Sequence, residues 1–120
     1  MFVKNAWYIA ARSEELSDKP LGRVLLSEPV VLYRRADRTP VALEDRCCHR
    51  FAPLSMGRLE HDDLRCMYHG LKFAPDGRCI EIPGQRQIPQ SAAVRRFAAQ
   101  QSGSWVWVWM GDAERADPAT

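Results

Sequence analysis

Apolar positions along this chain come in short runs divided by turn-forming residues, which is the patterning of β-strands rather than of helices. The runs predict strands at Arg23–Leu26, Val30–Arg34, Val41–Glu44, Asp63–Cys66, Leu71–Phe73, Cys79–Ile82, Val94–Ala98 and Trp105–Met110. In the last of these, Trp105, Trp107 and Trp109 alternate with Val106 and Val108, so the tryptophans share one strand face; core or interface packing suits them better than an electron relay. Pro75-Asp76-Gly77 predicts a tight turn between Phe73 and Cys79, because proline presets one dihedral and glycine accepts positive φ. Ser13 is placed to cap a helical turn over Glu14–Leu16, ended by Pro20 and Gly22. Many short strands with frequent turns predict an all-β fold, a small sandwich or barrel.

Composition narrows the class. With 120 residues, 46% hydrophobic and 27% charged, the chain is long enough for one domain with a real core. A formal net charge of +2 gives no support to a nucleic-acid or membrane-surface role. The strongest apolar runs, Val24–Leu26, Val30–Tyr33 and Trp105–Met110, fall far short of the roughly 20 residues that span a bilayer. Met1–Arg12 lacks a signal-peptide pattern, so a cytoplasmic location is expected, where cysteines stay reduced and a Cys/His cluster reads as a metal site.

Such a cluster is present. Cys47 and His49 stand one residue apart, Cys66 and His69 two apart, and the 16 residues Arg50–Arg65 separate the pairs. Both pairs fall on loops after predicted strands, so four ligands can meet at one end of the fold. Two thiolates and two neutral imidazoles suit a [2Fe–2S] cluster of the Rieske kind, Cys47 and Cys66 on one iron, His49 and His69 on the other. Two ferric irons, two sulfides and two thiolates sum to zero charge, so electron uptake is easier than in a four-cysteine cluster. A structural zinc site is the competitor, but zinc sites usually pair Cys with Cys and His with His at wider spacing. Here each half mixes one of each, which favours the cluster.

The remaining candidates read more plainly. Cys48 is a loop residue, and Cys79 a small buried hydrophobe. His61 is a solvated loop residue. Arg50 either orders the ligand loop or faces an acidic electron donor, a role open also to Arg46, Arg65 and Lys72 against the plainer reading of a solvated surface. Gly57, Gly70 and Gly84 are expected at tight turns, with Pro53 and Pro83 as loop rigidifiers.

Cys47-Cys48-His49-Arg50 and Cys66-Met67-Tyr68-His69-Gly70 resemble the two Rieske boxes, C-x-H-R and C-x-Y-H-G, of the aromatic-ring and demethylating Rieske non-haem iron oxygenases. Asn5–Tyr8, Pro20–Gly22, His49–Leu54, Ile82–Gln85 and Trp107–Asp112 are similar to the vanillate and dicamba O-demethylase group, and the Cys-Cys-His-Arg form to the toluenesulfonate methyl-monooxygenases. The resemblance covers essentially the whole chain but only the N-terminal third of such an oxygenase.

That resemblance implies a Rieske domain over residues 1–112, with 113–120 beginning a linker to a catalytic domain not in this chain. It implies electrons received from a reductase or ferredoxin and passed toward a mononuclear non-haem iron, with His69 as the exit toward a neighbouring subunit's catalytic domain. The free nitrogens of His49 and His69 would then be exposed. The mononuclear Fe(II) needs two His and a carboxylate. With His49 and His69 on the cluster, only His61 remains, so the 120 residues alone should carry electrons without oxygenating a substrate. A stand-alone Rieske ferredoxin is the alternative.

Overall fold

A computed structural model describes residues 5–48, 52–67, 70–111 and 116. Eleven strands run in chain order: β1 (Ala6–Arg12), β2 (Leu21–Leu25), β3 (Glu28–Arg34), β4 (Pro40–Glu44), β5 (Arg58–Glu60), β6 (Asp63–Arg65), β7 (Lys72–Phe73), β8 (Cys79–Glu81), β9 (Arg96–Phe97), β10 (Ala99–Ser102) and β11 (Trp105–Met110). They form three antiparallel sheets, ordered β1-β11-β10, β2-β3-β4-β9 and β5-β6-β7-β8. The all-β expectation holds.

The four-stranded β2–β9 sheet is the middle layer. Along β3, Val31 and Tyr33 belong to one core cluster and Val30 and Leu32 to the other, all four fully buried. Residue-by-residue alternation between faces accounts for this. A strand buried on both sides reads as an unbroken apolar run, which is why β3 stands out in the sequence. The first core, with Leu43, Leu54, Leu64, Leu71 and Phe73, joins the middle layer to the β5–β8 sheet. The second, with Ala42, Phe97, Val106, Val108 and Met110, joins it to the β1–β11–β10 sheet.

Three strands have no counterpart in the sequence expectation. In β1 the register shifts between Ile9 and Ala11, so Ala10 and Ala11 are both buried and alternation is lost. β5 has one apolar residue, Leu59, and β10 is largely polar. The predicted strand Val94–Ala98 is instead a crossing point: β9 pairs with β4 in the middle sheet, and β10 pairs with β11 in the next. The predicted strand Asp63–Cys66 stops at Arg65, which leaves Cys66 to open a loop.

The N-terminal turn is a 3-10 turn over Ser13–Glu15. Ser13 does not cap it; Glu15 accepts a hydrogen bond from the Arg12 backbone N–H at 2.8 Å, while the Ser13 hydroxyl accepts from Arg34 at 2.9 Å. The Pro75-Asp76-Gly77 turn is as expected. Gly77 lies at φ +92° and donates to the Ala74 carbonyl, and Asp76 accepts from the Arg78 backbone and side chain. On β11 the valines face the core, while Trp105 is exposed and Trp109 packs edge-on against Trp7 at 5.4 Å.

Candidate metal centre

Two loops at one end of the fold carry the cysteines. β4 leads to Cys47, and β6 leads directly to Cys66. Both are 1% exposed and belong to the core that joins the middle layer to the β5–β8 sheet. The loops close in the same way: the Cys47 N–H donates to the Ala52 carbonyl and the Cys66 N–H to the Leu71 carbonyl, each at 2.7 Å and each five residues on. Two thiols brought from separate strands into one apolar region, on matched loops, fit the cysteine half of a mixed Cys/His cluster. His49 and His69, like Arg50, lie outside the described residues, as do residues 113–115 and 117–120 of the expected linker.

The first loop is tied across its base by Asp45, whose carboxylate accepts from the Ser55 backbone at 2.7 Å and from its hydroxyl at 2.6 Å. Pro53 precedes a 3-10 turn over Leu54–Met56 that buries Leu54. Gly57 then passes close to the second loop. Its φ is −86°, so it serves no left-handed turn, contrary to expectation; a side chain there would strike the Arg65 carbonyl oxygen. Close approach, not turn geometry, requires glycine. Gly70 does take positive φ, +76°, with Pro83 packed beside it, so the Ile82–Gln85 turn abuts the second ligand loop.

Arg65 is the residue that sequence reasoning undervalued. Arg58, Arg65 and Lys72 pair across β5, β6 and β7 in one cross-strand row, and Lys72 pairs with Glu81. Three cations side by side repel one another. Glu60 offsets this by accepting from Arg65 at 2.8 and 3.1 Å and from Arg58 at 2.9 Å, with Lys72 at 3.3 Å. A third Arg65 nitrogen bonds Glu81 at 2.6 Å and the Gly70 carbonyl at 2.7 Å. The guanidinium thus fastens the far end of the loop that begins one residue after it. Hydrogen bonds from Arg65 and Arg58 hold the Glu60 carboxyl down at about 2, and its bonds to Glu60 and Glu81 push Arg65 up. Arg65 and Lys72 are therefore internally paired rather than free to face an acidic donor.

The other cysteines are as read from the sequence. Cys79 is buried, Cys48 partly so, and both are free thiols whose pKa burial raises. His61 is exposed on the β5–β6 turn at φ +58°. Beside the second loop, Met67 is 70% exposed, and Met56 beyond the first is 61% exposed.

Paired cysteine loops at one end of a layered antiparallel fold are compatible with the iron–sulfur class of domain. Residues 6–97 match the Rieske [2Fe-2S] domain, and the chain belongs to that family. It is 53% identical over 98% of its length to a putative toluene-4-sulfonate monooxygenase system iron-sulfur subunit of Comamonas testosteroni, covering 34% of that protein. It is 50% identical over 98% of its length to the dicamba O-demethylase oxygenase component of Stenotrophomonas maltophilia, covering 35% of it. A crystal structure of dicamba monooxygenase superposes with TM-score 0.94 at 48% identity, over 99% of this chain and 38% of that one. The chain thus spans about a third of the length of these relatives. The oxygenase resemblance is borne out, and a stand-alone ferredoxin is the less supported reading. Among the described residues no helix is long and apolar enough to cross a membrane.

Proposed function

We propose that Cys47 and Cys66 bind one iron of a Rieske [2Fe–2S] cluster and His49 and His69 the other, in a domain that passes single electrons from a reductase or ferredoxin toward a mononuclear non-haem iron in an aromatic oxygenase or demethylase. The observation that carries this is the pair of identically closed loops that deliver Cys47 and Cys66, both buried, into one core. When bound, the cluster supplies one-electron redox chemistry at a potential raised by its neutral imidazoles.

The chain's own residues hold that site in shape. Asp45 and Ser55 clamp the first loop, Arg65 fastens the second, and Gly57 lets the two approach. Leu54, Leu64 and Leu71 share the buried core in which Cys47 and Cys66 lie. His69 is the exit toward the catalytic domain of a neighbouring subunit, and residues 113–120 begin the linker that leads to that domain in the full protein. A cytoplasmic location, where thiols stay reduced, suits such a site.

The test is purification of the wild type, Cys47→Ser, Cys66→Ser, His49→Gln and His69→Gln, with iron and acid-labile sulfide assays and EPR of the dithionite-reduced protein. Wild type should hold two irons and two sulfides per chain and show the EPR signal of a mixed Cys/His cluster, and each variant should lose it. A colourless zinc protein, or a cluster that survives loss of any of the four side chains, would overturn the assignment.

A further inference from the structure

The end of the molecule opposite the ligand loops holds a second candidate site. β4 and β6 both start there and run to the cysteines. Between the β3–β4 turn, the chain after the Ser13–Glu15 turn and the β5–β6 turn lies an open cavity of about 670 Å³. Arg34, Arg35 and Arg38 line it, with Leu16 and Leu59 as its apolar wall.

Arg34 is unusual. It is 7% exposed, the one charged side chain buried among the described residues. Its guanidinium donates only to neutral acceptors: the Arg38 carbonyl at 2.9 Å, the Ser13 carbonyl at 3.0 Å and the Ser13 hydroxyl at 2.9 Å. No carboxylate among the described residues forms an ion pair with Arg34, Arg35 or Arg38. Burial and the charge of Arg38 pull the Arg34 pKa down, as expected of a cation lacking a counter-charge. Two buried side-chain nitrogens find no acceptor among the described residues, Arg34 Nε and Arg35 Nε, and both belong to arginines of this cavity.

A buried charge without a partner is costly, and unsatisfied buried donors are rare enough that each calls for a partner. Guanidinium groups meet carboxylate and phosphate oxygens with paired, charge-assisted hydrogen bonds. Asp18 also lines the cavity, but it is exposed and leaves the lining with three arginines against one carboxylate. The volume lies within the range of small-molecule sites and exceeds what a bare oxyanion fills.

We infer that this cavity binds an oxyanion carried on a small organic body, a phosphate ester or a carboxylate, with Arg35 and Arg38 as its donors and the buried charge of Arg34 behind them. The site is separate from the cysteine loops and does not depend on the cluster assignment.

The test is calorimetric titration of the cluster-loaded chain with inorganic phosphate and, separately, with benzoate, at ionic strength held constant with chloride. Arg34 is part of the packed interior, so Arg35→Gln and Arg38→Gln carry the comparison, with Arg78→Gln as a surface control. At least one anion should bind saturably, about tenfold more weakly in Arg35→Gln, the loss of one charge-assisted contact, and equally well in Arg78→Gln. Asp18→Asn should tighten binding. Saturation by phosphate alone assigns the phosphate class, and by benzoate the carboxylate class. Absence of saturable binding for both anions, or affinity unchanged in Arg35→Gln and Arg38→Gln, would overturn the inference.

Discussion

At the scale of single residues, Arg65 shows how one side chain shapes a ligand loop without being a ligand. It binds Glu60 through two nitrogens and uses the third for Glu81 and the Gly70 carbonyl. A lysine cannot do this, since its one nitrogen cannot span three acceptors held apart by a planar fork. Arg65→Lys should therefore behave like Arg65→Gln: the charged hydrogen bond to Gly70 is lost, at a cost of about 1.5–3 kcal/mol, and the cluster bleaches faster in air. Bleaching followed by visible absorption, with the EPR g-values, checks this; a lysine variant indistinguishable from wild type would show that charge alone suffices. Glu60 gives the matching pH dependence. Its carboxyl is held at about 2 against an ordinary 4.5, so in that interval the unfolded chain takes up more protons than the folded one. The contribution of Glu60 is complete above about pH 4.5 and is lost as pH falls through 2. The urea midpoint of the wild type should thus fall more steeply between pH 5 and 3 than that of Glu60→Gln, which lacks the titrating group.

At the scale of elements, the two loops meet at Gly57, where the 3-10 turn behind Cys47 lies against the Arg65 carbonyl, one residue before Cys66. A methyl group there forces the loops apart. Gly57→Ala should cost about 1–3 kcal/mol, the usual penalty of overpacking, and shift the EPR signal; the test pairs urea denaturation with EPR. Gly84→Ala, with nothing within 4 Å of its added carbon, separates a pure backbone effect from such a collision. The same distinction explains what the sequence could and could not reveal. The loop positions of Cys47 and Cys66 were legible because each follows an apolar run that reads as a strand, and Pro75–Gly77 because turn chemistry is local. β3 was legible because burial on both faces leaves an unbroken apolar run. β1, β5 and β10 were not: a bulge, a single leucine and a polar edge each erase the period-two signal. Nor was the role of Arg65, because its acceptors are set by the register of β5, β6, β7 and β8 rather than by any short motif.

At the scale of the whole molecule, the three sheets are not equally self-sufficient. The middle layer and the β1–β11–β10 sheet share long strands and a core of their own, including Val30, Leu32, Val106, Val108 and Met110, which contains no candidate ligand. The β5–β8 sheet consists of strands two or three residues long, and its core includes Cys47 and Cys66. Short strands bury little on their own, so this sheet relies on what ties its loops to the middle layer. Metal binding is folding free energy where the ligands are otherwise loosely held. Removing iron with a chelator under reducing conditions should therefore unfold the molecule unevenly. Hydrogen exchange followed by mass spectrometry should show amides of β5–β8 and of both ligand loops exchanging markedly faster in the stripped protein. Amides of β3 and β11, each strand hydrogen-bonded to a neighbour on both sides within the other two sheets, should keep their protection. Uniform acceleration across all three sheets would mean instead that the two cores melt as one, and that the cluster stabilises the whole fold rather than the end that holds it.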